Sequence, residues 1–350
     1  MGVKTALLLD FTFLELKEIL SSWDEPAYRA EQLWNWIYRS LAEDFTQMTN
    51  LPLSLRQKLG EAFHLAALEP LEELTSKDGL TRKILFSLAD GETIESVLMR
   101  YERRRTVCLS TQVGCAIGCP FCATGQSGLR RNLSSGEIVA QVLFFARALS
   151  EEGEKVDNVV FMGMGEPLAN YQATWKAIET LHDSQGFNLG ARRITVSTIG
   201  LVPDIEKLSR ESLPVGLAVS LHAPKDDLRD RLVPINRRYG LDALLAACRR
   251  YVERTGRRLS FEYVLIDGLN DSPQLAQELA WRLKGLLCHV NLIPLNPVEG
   301  CTYRPSPRPR VEAFQKELAR AGINATVRLG RGIDIQAGCG QLRARSPQRV

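Results

Sequence analysis

Three cysteines fall within eight residues of one another, in the segment Cys115-Ala-Ile-Gly-Cys119-Pro-Phe-Cys122. A loop of this kind can bring three thiolates to one point. On a four-iron cluster, three thiolate ligands leave one iron open to a further ligand. A structural zinc ion would need a fourth ligand, and no other His or Cys follows before His182. The spacing therefore predicts a [4Fe-4S] cluster, one per chain, on Cys115, Cys119 and Cys122.

A second group of polar residues follows short apolar runs that are typical of buried strands. Gly165 and Glu166 end one such run, where glycines would allow a ligand to approach and a carboxylate would suit an ammonium group. A helix-capping turn would have the same composition. The other polar residues at strand ends are Ser197, Ser220, His222 and Asn296. We expect these side chains to converge where the strands end.

Two further cysteines call for separate interpretations. Cys339 lies between glycines, which indicates an exposed thiol that another group can approach closely. Cys108 lies within a predicted strand, on the same face as Ser110 and Gln112. It either faces the active site or packs in the core, where free cysteines are common. The remaining cysteines, which we interpret as packing residues, are Cys248, Cys288 and Cys301.

Alternating Val- and Ile-rich runs and amphipathic stretches predict repeated βα units. The predicted strands span residues 106–111, 158–162, 193–197, 215–221, 260–266 and 289–295. The predicted helices span residues 135–149, 172–183, 241–255 and 273–286. The fold class is therefore α/β, with a parallel sheet curved into a partial (β/α)6 barrel. Function should lie at the carboxyl ends of the strands.

The rest of the chain divides into smaller predicted units. Apolar residues at helical spacing predict a helical N-terminal domain over residues 1–75, with Trp34, Ile37 and Leu41 on one buried face. A β-hairpin connector follows over residues 76–104, with strands 82–89 and 93–101 around Asp90-Gly91. The barrel is expected over residues 105–335. A C-terminal loop and basic tail complete the chain over residues 336–350.

Charge is distributed unevenly along the chain. The net charge is only +3, but residues 1–50 contain four Lys or Arg against eight Asp or Glu, whereas residues 301–350 contain ten against three. The basic end is either a solvated tail or an RNA-facing surface. No apolar run is long enough for a secretion signal or a membrane span. We therefore expect a cytoplasmic protein whose cysteines are thiols or metal ligands.

The cysteine motif and the Gly165-Glu166 segment resemble those of the radical S-adenosylmethionine (SAM) superfamily. The resemblance implies that SAM binds the open iron through its amino and carboxylate groups and is cleaved reductively to a 5'-deoxyadenosyl radical. It also implies an electron donor such as flavodoxin or ferredoxin. The SAM contacts implied in this sequence are Gly165, Glu166, Ser197, Ser220, Leu221, His222 and Asn296.

Nearly the whole chain, through Cys339-Gly-Gln-Leu, resembles the RlmN/Cfr family of RNA methyltransferases. The resemblance implies that one SAM methylates Cys339 and that a second supplies the radical that activates this methyl group for addition to adenine. Cys108 then attacks the sulfur of Cys339, and a disulfide forms as the methylated base departs. Glu95 is the implied base that removes the ring proton. From the residues alone, Glu95 is equally a carboxylate on the exposed face of a hairpin.

The same resemblance implies the substrates. These are an adenosine in the peptidyl-transferase region of 23S rRNA and the adenosine beside the tRNA anticodon, each methylated at C2. The target base must leave its stack to react, and RNA binding must supply the energy for this. This requirement favours phosphate contacts by the basic C-terminus, Arg103–Arg105 and Arg130–Arg131. The N-terminal domain would dock RNA, and a monomer is expected. A C8 methyltransferase of the Cfr type and a non-catalytic iron-sulfur RNA-binding protein remain alternatives.

Overall fold

The computed structural model of the protein describes residues 5–328 and 330–343. Arg345 and Arg349, which belong to the predicted basic tail, lie outside the described residues. No helix in the described part of the chain is long and apolar enough to cross a membrane.

The N-terminal part is helical, as predicted. It contains α1 (Phe13–Ser22), α2 (Tyr28–Tyr38) and α3 (Leu53–Ala62), and a short parallel pair joins β1 (Ala6–Leu7) to β2 (Phe63–His64). Trp34 and Ile37 are buried on one face of α2, which confirms the predicted core positions. Leu41 lies beyond the end of α2 and is only half-buried, because the chain turns there with a φ of 59°.

A ten-stranded sheet forms the centre of the molecule, in the order β14-β13-β12-β11-β10-β9-β6-β5-β4-β3. Its strands are β3 (Leu68–Thr75), β4 (Thr81–Leu88), β5 (Thr93–Tyr101), β6 (Arg104–Cys108), β9 (Asn158–Phe161), β10 (Ile194–Thr198), β11 (Gly216–Ser220), β12 (Leu259–Leu265), β13 (Cys288–Pro294) and β14 (Ala325–Val327). A separate antiparallel pair is formed by β7 (Gln112–Gly114) and β8 (Leu129–Asn132). Strands β6 and β9 to β14 are parallel, and β3 to β6 are antiparallel.

Helices connect the parallel strands, as the βα pattern predicts. They are α4 (Ala123–Gln126), α5 (Ser135–Glu151), α6 (Tyr171–His182), α7 (Val202–Leu208), α8 (Asp226–Leu232), α9 (Leu241–Thr255), α10 (Pro273–Leu283) and α11 (Arg308–Arg320). Ser134 caps α5 with a reciprocal pair of hydrogen bonds involving Glu137, which explains where this helix begins. The parallel strands end at one edge of the sheet, so their following loops meet there.

The structure corrects three details of the expected layout. The helices end at Ala62, before the expected boundary at residue 75, because residues 68–75 pair with β4 as a strand. The first barrel strand ends at Cys108 rather than at residue 111. Beyond it, the backbone amide of Ser110 donates to the side chain of Gln141 at 2.8 Å instead of joining a ladder. A seventh parallel strand, β14, extends the six that were predicted.

Candidate active site

A cleft opens at the carboxyl ends of the parallel strands. Its walls come from loops that are far apart in the chain but meet at this edge of the sheet. The predicted site residues that line it are Cys115, Cys119, Cys122, Gly165, Glu166, Ser197, Ser220, His222 and Cys339. The structure thus brings most of the predicted site residues together in one place.

The three-cysteine loop begins directly after β7. Gly114 has a φ of +76°, and a Cβ atom there would lie 1.8 Å from the carbonyl oxygen of Gly128, so only glycine fits. The backbone amide of Cys115 donates to the same carbonyl at 2.9 Å. Cys115 and Cys119 are buried and Cys122 is half-buried, all facing the cleft. The local backbone therefore holds three thiols around one end of the cavity.

The donor set fits an iron-sulfur cluster. Burial raises the pKa of the Cys115 thiol to about 12 and also raises the pKa of Cys119 and Cys122. Three thiolates here would need a positive group to compensate them, as bound iron does. Within residues 5–328 and 330–343, no three His, Cys, Asp or Glu side chains converge on a point that one metal ion could occupy. Thiolates spread around a cleft suit a cluster, in which each binds a different iron.

Glu166 lies beside this cavity on the turn after β9. Its carboxylate accepts hydrogen bonds from the backbone amides of Leu168 at 3.1 Å and Ile199 at 2.8 Å. Burial raises its pKa to about 7. Gly165 has a φ of +99°, and a Cβ atom there would lie 2.6 Å from the side chain of Gln112. The segment therefore presents a fixed carboxylate that could receive an ammonium group.

His222 follows β11 with a positive φ of 60° and lines the cleft. Its Nδ1 accepts a hydrogen bond from the backbone amide of Val264 at 3.1 Å, so its proton is on Nε2. Burial, assisted by the charge of Arg229, lowers its pKa to about 3. His222 is therefore a neutral side chain at physiological pH. Leu221, which the resemblance assigned to SAM binding, is fully buried, and its backbone amide donates to the carbonyl of Glu262 at 3.0 Å.

Arg229 on α8 was not singled out from the sequence, where it reads as an ordinary helix cation. It is fully buried and binds backbone carbonyls instead of a carboxylate. Its donors reach the carbonyls of Leu221 at 3.0 Å, Ile199 at 2.6 Å and Ser220 at 3.1 Å. Burial lowers its pKa to about 10. Arg229 thus fixes the ends of β10 and β11 behind the cleft.

Cys339 reaches the cleft from the C-terminal loop. The side-chain amide of Asn296 donates to the backbone carbonyl of Cys339 at 3.0 Å, and the amide of Ala123 donates to Gly340 at 2.8 Å. The Cys339 side chain is exposed to the cavity, yet the surrounding protein desolvates the thiol and raises its pKa. Asn296, expected to contact SAM, therefore supports the Cys339 loop in this structure.

A second cleft is also lined by Cys339, together with Cys108. Cys108 is buried, and burial, with a contribution from Cys339, raises its pKa to about 12. All eight cysteines lie within the described residues and all are free thiols. The expected Cys108–Cys339 disulfide stays a prediction. Cys248 and Cys288 lie in the hydrophobic core, and Cys301 packs against a smaller apolar cluster.

Glu95 is buried on β5 and is not an exposed hairpin carboxylate. It forms an ion pair with Lys83 at 2.9 Å and accepts a hydrogen bond from the backbone amide of Arg343 at 3.0 Å. Lys83 also donates to the backbone carbonyl of Gln336 at 3.2 Å. The pair therefore connects the hairpin to both sides of the Cys339 loop, a connection that the sequence pattern did not indicate.

The predicted basic residues have different environments. Arg105 is paired with Glu154, Arg131 with Asp90 and Glu137, and Arg130 with Glu92. Arg103 and Arg104 are exposed. Arg104 and Arg331 both stack on the ring of Tyr101, at 4.5 and 4.4 Å from its centroid. Tyr101 and Arg104 line the second cleft, so a cationic and aromatic group stands beside Cys108 and Cys339.

Comparisons with known proteins agree with this geometry. Residues 7–65 match the model of the ribosomal RNA large subunit methyltransferase N-terminal domain, and residues 109–279 match that of the radical SAM superfamily. A probable dual-specificity RNA methyltransferase RlmN from Chloroflexus aurantiacus is 53% identical, over 97% of this chain and 93% of the relative. A protein of the same description from Dictyoglomus thermophilum is 48% identical over 96% of each chain.

A solved structure shows the same fold. The radical SAM methyltransferase from Sphaerobacter thermophilus matches with a TM-score of 0.95 and 56% identity, over 97% of this chain and 99% of that one. This match confirms the radical SAM type of α/β fold expected from the sequence. The superfamily implies a [4Fe-4S] cluster and SAM as cofactors, and the cysteine loop fits them. At this similarity over almost the full length, the chain belongs to the RlmN family of radical SAM methyltransferases.

Proposed function

We propose that this radical SAM methyltransferase transfers a methyl group to C2 of adenosine in RNA, through S-methylated Cys339. The observation that carries the proposal is the position of Cys339. It lines the cavity that contains the cluster cysteines and also the cavity that contains Cys108. A single thiol is thus placed to receive a methyl group on one side and to deliver it on the other.

Cys115, Cys119 and Cys122 would hold the cluster, which when bound would supply the electron that cleaves SAM to a 5'-deoxyadenosyl radical. The protein residues handle the methyl group. The Cys339 sulfur first takes a methyl group from one SAM molecule, and a hydrogen atom of this group is then lost to the radical derived from a second. The resulting carbon radical adds to C2 of the adenine, which joins base and protein covalently. The electron-poor C2 could not attack a sulfonium methyl as a nucleophile, so radical addition avoids that barrier.

Release of the base falls to Cys108. Its sulfur attacks the sulfur of Cys339, a disulfide forms, and the carbon–sulfur bond to the base breaks. The released carbon takes up a proton and becomes the methyl group. Because burial raises the pKa of Cys108 to about 12, its thiol proton must be removed as the attack occurs. We assign removal of the C2 proton to Glu95, whose carboxylate is buried near the Cys339 loop. The radical adduct must also give up one electron as this proton leaves, and the oxidised cluster, when bound, would accept it.

The substrates of this chain follow from its family. The resemblance assigns to it an adenosine of 23S rRNA and the adenosine beside the tRNA anticodon, and relatives described as dual-specificity RNA methyltransferases support two kinds of RNA substrate. The same relatives favour C2 over the C8 chemistry of the Cfr type. Arg104, Tyr101 and Arg331 at the second cleft are suited to hold a phosphate and a base beside Cys339. A flavodoxin or ferredoxin donor, a cytoplasmic location and a monomeric state stay predictions.

The test is mass spectrometry of the reconstituted enzyme after incubation with methyl-labelled SAM, a reductant and an rRNA fragment. We expect label on Cys339 and on C2 of one adenosine. Methyl only on C8 would establish the Cfr-type reaction instead. In a parallel sample, Cys339→Ala should retain the cluster and lose RNA methylation, whereas a non-catalytic RNA-binding role predicts that this variant behaves as the wild type does.

A further inference from the structure

Glu262 is a buried carboxyl group for which the reaction described above has no use. It lies in β12, beside Ser220 of β11 in the parallel register, and only 5% of its surface is exposed. Its side chain lines the first cleft together with Cys339. The interior position places an acidic group where the surrounding strands otherwise present mostly apolar side chains.

The two oxygens of this carboxyl group differ. Oε1 accepts a hydrogen bond from the side-chain amide of Asn291 at 2.7 Å and lies 4.0 Å from Arg328. Oε2 is buried and has no hydrogen-bond partner among the described residues. A buried polar atom without a partner costs about 1–3 kcal/mol. Such an atom in the wall of an active-site cleft indicates a ligand that donates a hydrogen bond to it.

Glu262 lines the first cleft near Cys339, a residue that also lines the second cleft. It is close enough to Cys339 for its charge to raise the pKa of that thiol. Its neighbour Arg328 lines the second cleft with Cys108 and Cys339. A group bound at Glu262 would therefore lie beside the sulfur that delivers the methyl group, on the route towards the resolving cysteine.

We propose that Glu262 binds the amino edge of the target adenine and thereby places C2 against Cys339. This inference rests on the proposed function. In adenine, the 6-amino group and N1 share one edge, and C2 is bonded to N1. A carboxyl oxygen that accepts from the amino group thus holds C2 within a few ångströms of itself. A site that satisfies a buried polar atom with this amino group rejects purines that lack it.

The protonation of Glu262 also suits the chemistry. Burial raises the pKa of this carboxyl group, which favours its neutral, protonated form. A neutral carboxylic acid both accepts from an amino group and donates to N1. Addition of a carbon radical at C2 increases electron density on the adjacent ring nitrogens. A hydrogen-bond donor at N1 would stabilise that charge.

The experiment compares two RNA fragments, one with adenosine and one with purine riboside, which lacks the amino group, at the target position. Intrinsic reactivity at C2 differs between the two bases, so the informative quantity is how their rate ratio changes with the variant. We expect Glu262→Met to reduce the adenosine-to-purine ratio by about tenfold or more relative to the wild type. Glu253→Met, which removes an exposed carboxylate on α9, should leave the ratio unchanged.

A second readout tests whether Glu262 binds the adenine of the RNA or the adenine of SAM. In the proposed reaction Cys339 is methylated before the base is attached, which requires SAM but no RNA, and we expect Glu262→Met to perform this step within about twofold of the wild-type rate. Slower Cys339 methylation with an unchanged ratio would mean that Glu262 serves SAM, which overturns the inference. If Glu262→Met does not fold, Glu262→Asp, which retracts the carboxyl group by one methylene, should still lower the ratio at least threefold.

The outcomes also distinguish this inference from the proposed function. RNA methylation by the wild type with an unchanged ratio in both Glu262 variants would overturn only the role of Glu262. A wild-type enzyme that carries its cluster and cleaves SAM but methylates neither Cys339 nor RNA would overturn both.

Discussion

Asn296 donates a hydrogen bond from its side-chain amide to the backbone carbonyl of Cys339, at 3.0 Å. This contact joins the loop after β13 to the loop that carries Cys339. A Cβ atom on Gly338 would lie 2.6 Å from the same amide nitrogen, so the two loops are closely packed here. The position of Cys339 in the cleft therefore depends on a residue that the family resemblance assigns to SAM binding.

Removal of this contact should slow the first methyl transfer. Asn296→Ala removes a hydrogen bond that stabilises the observed conformation of the Cys339 loop by about 1 kcal/mol. We therefore expect it to slow Cys339 methylation about fivefold. Gly338→Ala should have a similar effect because it displaces Asn296. The rate is followed by mass spectrometry without RNA, with Gly190→Ala as a control at an open position. An unchanged rate with weakened SAM binding would assign Asn296 to the cofactor alone.

Cys108 should be needed only after the base has been attached to the protein. The variant Cys108→Ala cannot form the disulfide, so we expect a covalent protein–RNA adduct at Cys339 to accumulate. Denaturing gel electrophoresis with labelled RNA would show it as a slowly migrating band. Cys301→Ala, which alters a half-buried cysteine outside both clefts, should turn over without an adduct. Free methylated RNA from Cys108→Ala would contradict the assignment.

Glu95 can act on the base or on the Cys339 loop, and the two roles predict different defects. If Glu95 removes the C2 proton, Glu95→Gln should methylate Cys339 at a near-normal rate and then accumulate the RNA adduct, with RNA methylation reduced by about 100-fold. If its contacts with Lys83 and Arg343 only hold the loop, Cys339 methylation itself should slow in the absence of RNA. Slower Cys339 methylation without RNA would contradict the proposed role of Glu95 as the base.

The group of Arg104, Tyr101 and Arg331 should contribute to RNA affinity. We expect Arg104→Ala to weaken binding of an rRNA fragment and to lower the slope of log affinity against log salt by about 0.7–0.9, as for one lost phosphate contact. Cys339 methylation without RNA should be unchanged. Arg192→Ala is the matched control, because this exposed arginine lines neither cleft. Equal slopes for both variants would exclude a phosphate contact at Arg104.

His222 should make the stability of the protein depend on pH. Its pKa falls from 6.5 to about 3 on burial, so the unfolded chain binds the proton at a higher pH than the folded protein does. The stabilising contribution is therefore complete above pH 6.5 and is lost as the pH falls towards 3. Between pH 7.5 and 5.5, the wild type should lose about 1.4 kcal/mol more unfolding free energy than His222→Asn.

Asparagine is the appropriate replacement because it tolerates the positive φ of 60° at this position and retains a hydrogen-bond acceptor. Urea unfolding at the two pH values, monitored by circular dichroism, measures the difference. Parallel pH dependence of the two proteins would show that His222 is not buried in its neutral form.

Local patterns in the sequence determined the cluster motif, the alternation of strands and helices, and the hairpin. The cysteine ligands of a cluster lie close together in the chain, and strand and helix periodicities are properties of neighbouring residues. Those features could therefore be predicted without the fold. The glycines around Cys339 likewise indicated an exposed thiol, which the structure places in the cleft.

Only the tertiary structure decided how distant residues combine. It placed Cys108 and Cys339 in one cleft and buried Arg229 against the ends of two strands. It also paired Glu95 with Lys83, next to the C-terminal loop. It also showed the unpartnered oxygen of Glu262. Burial and hydrogen-bond satisfaction depend on which strands and loops become neighbours, and no local pattern of residue types contains that information.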